Sequence, residues 1–143
     1  MGTADKTTIS VQTLINSLSD MVWKCWTTPE DIIHWNQASE DWHSPRAQND
    51  LRPGGRFTYR MEAKDGSMGF DFSGVYKKVI KNKQIDYVLD DGRKVTVTFS
   101  ARGNKTEISE RFEAEDTHSA EMQRSGWQAI LDNFKNYTET QSK

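Results

Sequence analysis

The sequence predicts an α+β domain: a curved antiparallel sheet of six to seven strands around one long C-terminal helix, with two short helices after the first strand. Three observations lead there. Trp127, Ile130, Leu131, Phe134 and Tyr137 fall on one stripe of a helix over residues 119–140, opposite Glu121, Ser125, Gln128, Asp132, Lys135 and Glu139. Upstream, short runs alternate apolar and polar residues with period two, and Asp-Gly and Gly-Asn pairs between them supply tight-turn chemistry. Finally, Thr28-Pro29-Glu30-Asp31 restarts a helix directly behind another short one. A helix of about 20 residues is about 30 Å long, and its large aromatics need a broad surface to cover them.

In chain order, residues 7–15 read as a strand, with Ile9, Val11 and Thr13 on the inner row. Ser19 or Asp20 is placed to cap the helix at 21–26, and Thr28 to cap the one that buries Ile32, Ile33 and Trp35. Residues 36–49 are polar and irregular, and read as a long loop carrying Trp42 and His43. The turn Asp50-Leu51-Arg52-Pro53-Gly54-Gly55 leads into a strand at 56–63 with Phe57, Tyr59 and Met61 inward. A second strand follows at 68–79 with Phe70, Phe72, Gly74 and Tyr76 on one side, and Gly74 suggests a bulge or bend there that helps the sheet curl. Strands at 84–89, 93–101 and 106–114 point Ile85, Tyr87 and Leu89, then Val95, Val97, Phe99 and Ala101, then Ile108, Glu110 and Phe112 inward. Successive hairpins make the sheet antiparallel, wet on one face and covered by the helix on the other.

The 143 residues fit a single domain, 1–143, with its core at about 8–140 and with 1–6 and 141–143 expected to be disordered. Mean hydropathy is low, −0.84. Five Trp, four Tyr and six Phe offset it, because a few large side chains fill a core that many small ones otherwise would. A net charge of −2 gives no global basic field, which argues against nucleic acid as a partner. Cys25 is the single cysteine, so no internal disulfide forms and a cytoplasmic setting is expected. The first six residues lack the apolar stretch of a signal peptide, and no run reaches the ~18 apolar residues of a membrane span.

Val22-Trp23, then Trp26-Thr27-Thr28-Pro29-Glu30 and Trp35-Asn36, resembles the front end of the family named for the activator of the heat-shock protein 90 ATPase. The run from Asp50 to Phe57 resembles that family's second signature, and Gly126-Trp127 with Leu131 the mark on its last helix. The element order is that of the helix-grip fold of the START-like (SRPBCC) superfamily, which also holds the birch-pollen allergen and polyketide cyclases. The resemblance covers residues 8–138 and implies a single START-like domain. It implies a hydrophobic small-molecule ligand between sheet and helix. It also implies, by the two-domain co-chaperone namesake, a chaperone- or stress-related interaction role, and by the cyclases an enzyme of cyclase or hydrolase type.

From the residues themselves, no catalytic set is legible. His34, His43 and His118 have no second ligand at metal spacing, so no metal and no cofactor are expected. Gly54-Gly55 lacks the Gly-Lys-Ser/Thr ending of a phosphate cradle and reads as a turn. Glu110 stands out as a carboxyl on an inner row, to be resolved by a bulge, by a partner such as Arg124, or by a wet cavity. Gln123 interrupts the apolar stripe of the last helix, and Gly126 either leaves a gap for ligand or lets helix and sheet approach closely. The candidate ligand-binding set is Trp35, Trp42, His43, Phe57, Tyr59, Met61, Phe70, Phe72, Tyr87, Glu110, Gln123 and Trp127. Within it, Trp42 and His43 are candidates for a gate or for a packed lid, and Glu110, Gln123 and Tyr59 are the groups that would orient a mostly apolar, aromatic or lipid-like ligand.

Overall fold

The computed structural model describes residues 7–141. The disorder expected for residues 1–6 and 142–143 lies outside the described residues, whereas Gln141 closes the last helix. The elements run β1 (Thr8–Ile15), α1 (Ser19–Thr27), α2 (Pro29–Trp35), β2 (Trp42–Asn49), β3 (Arg56–Ala63), β4 (Gly69–Ile80), β5 (Gln84–Leu89), β6 (Lys94–Arg102), β7 (Lys105–Glu113) and α3 (Ala120–Gln141). The sheet has seven strands in the order β1-β7-β6-β5-β4-β3-β2, every neighbouring pair antiparallel. β2 to β7 form a meander, and β1 closes the far edge against β7.

The sheet curls around α3. Trp127 of α3 stacks on Phe112 of β7 at 3.8 Å and meets Phe72 of β4 edge-on at 6.1 Å. β4 and β7 are three strand spacings apart, about 14 Å in a flat sheet, so one ring touches both only if the sheet bends. The inner rows of β3, β5, β6 and β7 are buried at every second residue, as period-two alternation requires. The other half of α3 is held by an aromatic plug. Phe134 is fully buried with ring centroids 4.8 Å from Trp26 and 4.9 Å from Trp35, while Trp23 and Trp26 pack on Phe99 of β6. The Trp35 indole N–H donates to the Cys25 carbonyl at 3.0 Å, so the plug satisfies its own polar atom.

Several sequence expectations are corrected. Leu18, not Ser19 or Asp20, occupies the cap position of α1, and no side chain caps it. The Ser19 hydroxyl pairs with that of Thr106, and Asp20 accepts from Asn82, so tertiary partners have taken both local caps. Thr28 holds the cap position of α2, again without a side-chain bond. Residues 42–49 are not loop but the edge strand β2, paired with β3 through a register break between His43 and Arg46. Pro45 sits in that break, where a residue without an N–H is tolerated, and the break hides the alternation.

The bulge of β4 falls between Tyr76 and Lys78, not at Gly74, whose pairing with Phe57 and Leu89 is regular. Gly74 answers a different need, because an added Cβ would lie 2.5 Å from the Val88 carbonyl oxygen. Ile33 is half-buried, and Phe70 and Ala101, expected inward, are exposed, each one residue from the end of its strand. Cys25 is a buried small side chain, its thiol pushed up by burial. Among the described residues no helix is long and apolar enough to cross a membrane.

Two substitutions test this frame. Phe134→Ala empties the plug and is expected to cost about 3–5 kcal/mol, a large share of the ~5–15 kcal/mol of a typical domain, read by urea unfolding. Gly74→Ala is expected to lower stability as well, because the atom it would strike is backbone; an unchanged unfolding midpoint would contradict the close approach.

Candidate functional site

Between the plug, the sheet and the N-terminal half of α3 lies a cavity of about 520 Å³, inside the roughly 300–1,000 Å³ range of small-molecule sites. Alternate residues of β3, β4 and β5 build its wall: Phe57, Tyr59, Met61, Phe72, Tyr76, Ile85 and Tyr87. Met122, Gln123, Gly126, Trp127 and Ile130, one stripe of α3, roof it. Trp26, Trp35 and Asn36 close the inner end. The mouth opens among Ala38, Ser39, Trp42, Phe70 and His118, between the exposed residues 38–41 and the start of α3. Phe70 and Met122 there are 47% and 62% exposed, so apolar surface continues out of the cavity to solvent.

Of the twelve candidate residues, eleven line this one space. His43 does not. It follows Trp42 on a strand and so points to the opposite face, with Nε2 3.9 Å from Glu62. Of the pair read as a gate, only Trp42 stands at the mouth, 5.9 Å from the Phe70 ring. Trp26, Asn36, Tyr76, Arg93 and Met122 also line the space and were not in the set. Tyr76 was findable, because it continues the row of Phe72 and Gly74. Asn36 was not: nothing local shows that its amide nitrogen ends buried without a hydrogen-bond partner.

The polar groups differ in how free they are. Gln123 is spent on the turn before α3. Its oxygen accepts from the Glu115 N–H at 2.9 Å, and its nitrogen donates to the carbonyls of Glu115 at 3.2 Å and His118 at 2.8 Å. It clamps the helix start and does not reach for ligand. The Tyr59 phenol lies close enough to Tyr76 to perturb it, and Tyr76 donates to Asn49 at 2.6 Å. Asn49 donates to the Thr27 carbonyl at 2.7 Å, tying the wall to the end of α1. Burial pushes the Tyr59 phenol well above its ordinary value and that of Tyr76 up to about 12.

Glu110 is 5% exposed, on the inner face of β7, opposite Val11 of β1 and Val97 of β6. Neither a bulge nor Arg124 resolves it, because Arg124 pairs with Glu121 in solvent. Its carboxyl makes no hydrogen bond among the described residues, and burial alone pushes it up to about 8, so it is neutral at pH 7. Tyr87 faces the same space, its phenol raised by burial first and by the Glu110 charge second. Gly126 leaves a gap: an added Cβ would meet nothing within 4 Å, which rules out the close helix-sheet approach.

The family described as activator of Hsp90 ATPase homolog 1-like protein matches residues 18–139. The chain belongs to that family. Among solved structures it is similar to the AHSA1-like protein from Aeromonas hydrophila, at 44% identity and TM-score 0.89, with 94% of each chain covered. It is also similar to a protein from Cytophaga hutchinsonii, at 51% identity and TM-score 0.81, covering 94% of this chain and 93% of that one. A protein from Chromobacterium violaceum shares the fold at 20% identity, with TM-score 0.83 over 92% of this chain and 96% of that one. No curated protein is a match for the sequence. The curled seven-stranded sheet, the two short helices and the long last helix are the START-like fold of this family.

Glu110 makes stability depend on pH. The folded state keeps a proton that the unfolded chain releases above the ordinary carboxylate value of 4.5. Stability is therefore full below pH 4.5 and falls as pH rises through about 8, with roughly 3 kcal/mol of the loss already present at pH 7. Glu110→Gln is expected to flatten this slope and to unfold at higher urea than the parent at about pH 8, with little difference at about pH 5. Parallel pH dependence in both proteins would mean that Glu110 is solvated or paired.

Proposed function

We propose that the protein binds a mostly apolar small molecule, aromatic or lipid-like, in the cavity between sheet and α3. The observation that supports this reading is the hollow itself. A core with ten aromatic side chains around one space has left that space unfilled, and apolar surface leads from it to the mouth. Burying a ligand there gains roughly 25 cal/mol per Å² of apolar area. A cytoplasmic setting goes with the reading. A second reading, a protein-interaction role, draws on the family's description and on the exposed Met68, Phe70 and Met122 near the hairpin and the mouth. Stimulation of an Hsp90 ATPase by the purified chain would support it, and its absence would count against it.

The cavity reading is tested with N-phenylnaphthylamine, a neutral dye that brightens in apolar surroundings. The expected result is saturable, one-site binding that quenches tryptophan emission. Gly126→Leu grows a side chain into open space and removes a helix-weakening glycine worth about 1 kcal/mol. It is expected to weaken dye binding by at least about tenfold while the fold holds or gains stability. Binding untouched by Gly126→Leu would place the dye elsewhere and sink the reading.

A further inference from the structure

Glu110 and Tyr87 face the cavity without a hydrogen bond among the described residues and come from strands on either side of β6, while Asn36, at the inner end, also leaves its amide nitrogen unpartnered. Glu110 stands opposite Val97, and Tyr87 opposite Val95, the next inward residue of the same strand. Both side chains are buried, both line the same space, and neither makes a hydrogen bond among the described residues. The surrounding inner-face residues Val11, Val97, Ile108 and Phe112 are apolar and buried. A carboxyl left unpartnered in such a wall is unfavourable, and a ligand group that bonds it recovers that loss.

We infer that Glu110 and Tyr87 together form a two-donor cradle for the carbonyl oxygen of an otherwise apolar ligand. The inference rests on the cavity-binding reading and deepens it. A carboxyl held neutral by its apolar site donates through its O–H, and a phenol facing the same space can donate a second bond; together the two suit an oxygen acceptor. Charge argues against the other classes. The Arg93 guanidinium acts on Tyr87 from the β5–β6 turn and opposes a cation, while desolvating an ion pair at Glu110 is unfavourable. Arg93 is itself paired with Asp91 at 2.8 Å, so it is not a free site for an anion. The other titratable groups facing the space are Tyr59 on β3, Tyr76 on β4, and Glu115 and His118 before α3. The roof from α3 presents Gln123, Gly126 and Trp127, and Val11 of β1 is the cross-strand neighbour of Glu110.

The experiment compares acetylnaphthalene with isopropenylnaphthalene, which replaces the carbonyl oxygen by a methylene of similar shape, together with naphthoate and naphthylethylamine, by calorimetry. At about pH 6.5 the ketone is expected to bind roughly tenfold tighter than the alkene, and this preference should fade towards about pH 9.5 as Glu110 loses its proton. E110Q keeps a donor, so it should keep the preference but lose its pH dependence; it retains His118 and thus separates that residue's contribution. E110L should lose the preference while still binding the alkene. Equal binding of ketone and alkene to the parent protein, preference retained in E110L, or tightest binding of the amine or the naphthoate would each overturn the cradle while leaving the cavity reading intact. Failure of the whole series to bind would overturn both.

Discussion

The seat of Phe134, edge-on against the stacked pair Trp26 and Trp35, is the contact on which the rest depends. It fixes the C-terminal half of α3 against α1 and α2, which themselves rest on β6 through Phe99. The start of the helix is held separately, by Gln123 bonded to the preceding turn. A rigid helix anchored near both ends cannot sink onto the sheet between its anchors. The space under Gly126 and Trp127 therefore stays open, although closer packing would bury more apolar area.

A second set of bonds reinforces the C-terminal anchor. Asp31 is buried between α2 and α3, accepting from Lys24 at 3.0 Å and from the Tyr137 hydroxyl. Tyr137 also stacks on His34, and Glu139 accepts from the Asn16 N–H at 2.8 Å as well as from Lys135. These groups lie on the side of α3 away from the mouth. Stability is thus concentrated at the plug, and the mouth is left to exposed Phe70 and Met122 and to short connections. Such a division lets the mouth yield to an incoming molecule without loosening the core.

The wall facing that mouth is chemically uneven. Tyr76 uses its hydroxyl on Asn49, so it offers a ligand mainly ring surface. Glu110 and Tyr87 use theirs on nothing. Two kinds of polar group in one aromatic wall, one spent and one unspent, separate what holds the wall together from what meets its contents.

Much of this was legible in the primary sequence, for a physical reason. The stripe of Trp127, Leu131 and Phe134, the alternation in β3 and β5 to β7, and the Thr28-Pro29 restart are all local patterns, and periodicity alone decides which residues share a face. Ten of the eleven cavity-lining candidates followed from face membership, while Trp42 was read on a loop and lies on β2. Local reasoning failed where distant partners compete. Ser19 and Asp20 went to Thr106 and Asn82 instead of capping a helix, and β2 formed because β3 offered an edge despite Pro45. Orientation across the fold was equally out of reach: that Gln123 is consumed by a turn, that Arg124 stays in solvent, and that Glu110 is left neutral and unpartnered. Periodicity determines which side chains turn inward, but whether an inward polar group finds a partner depends on distances between strands and helices far apart in the chain, and only the folded structure sets those.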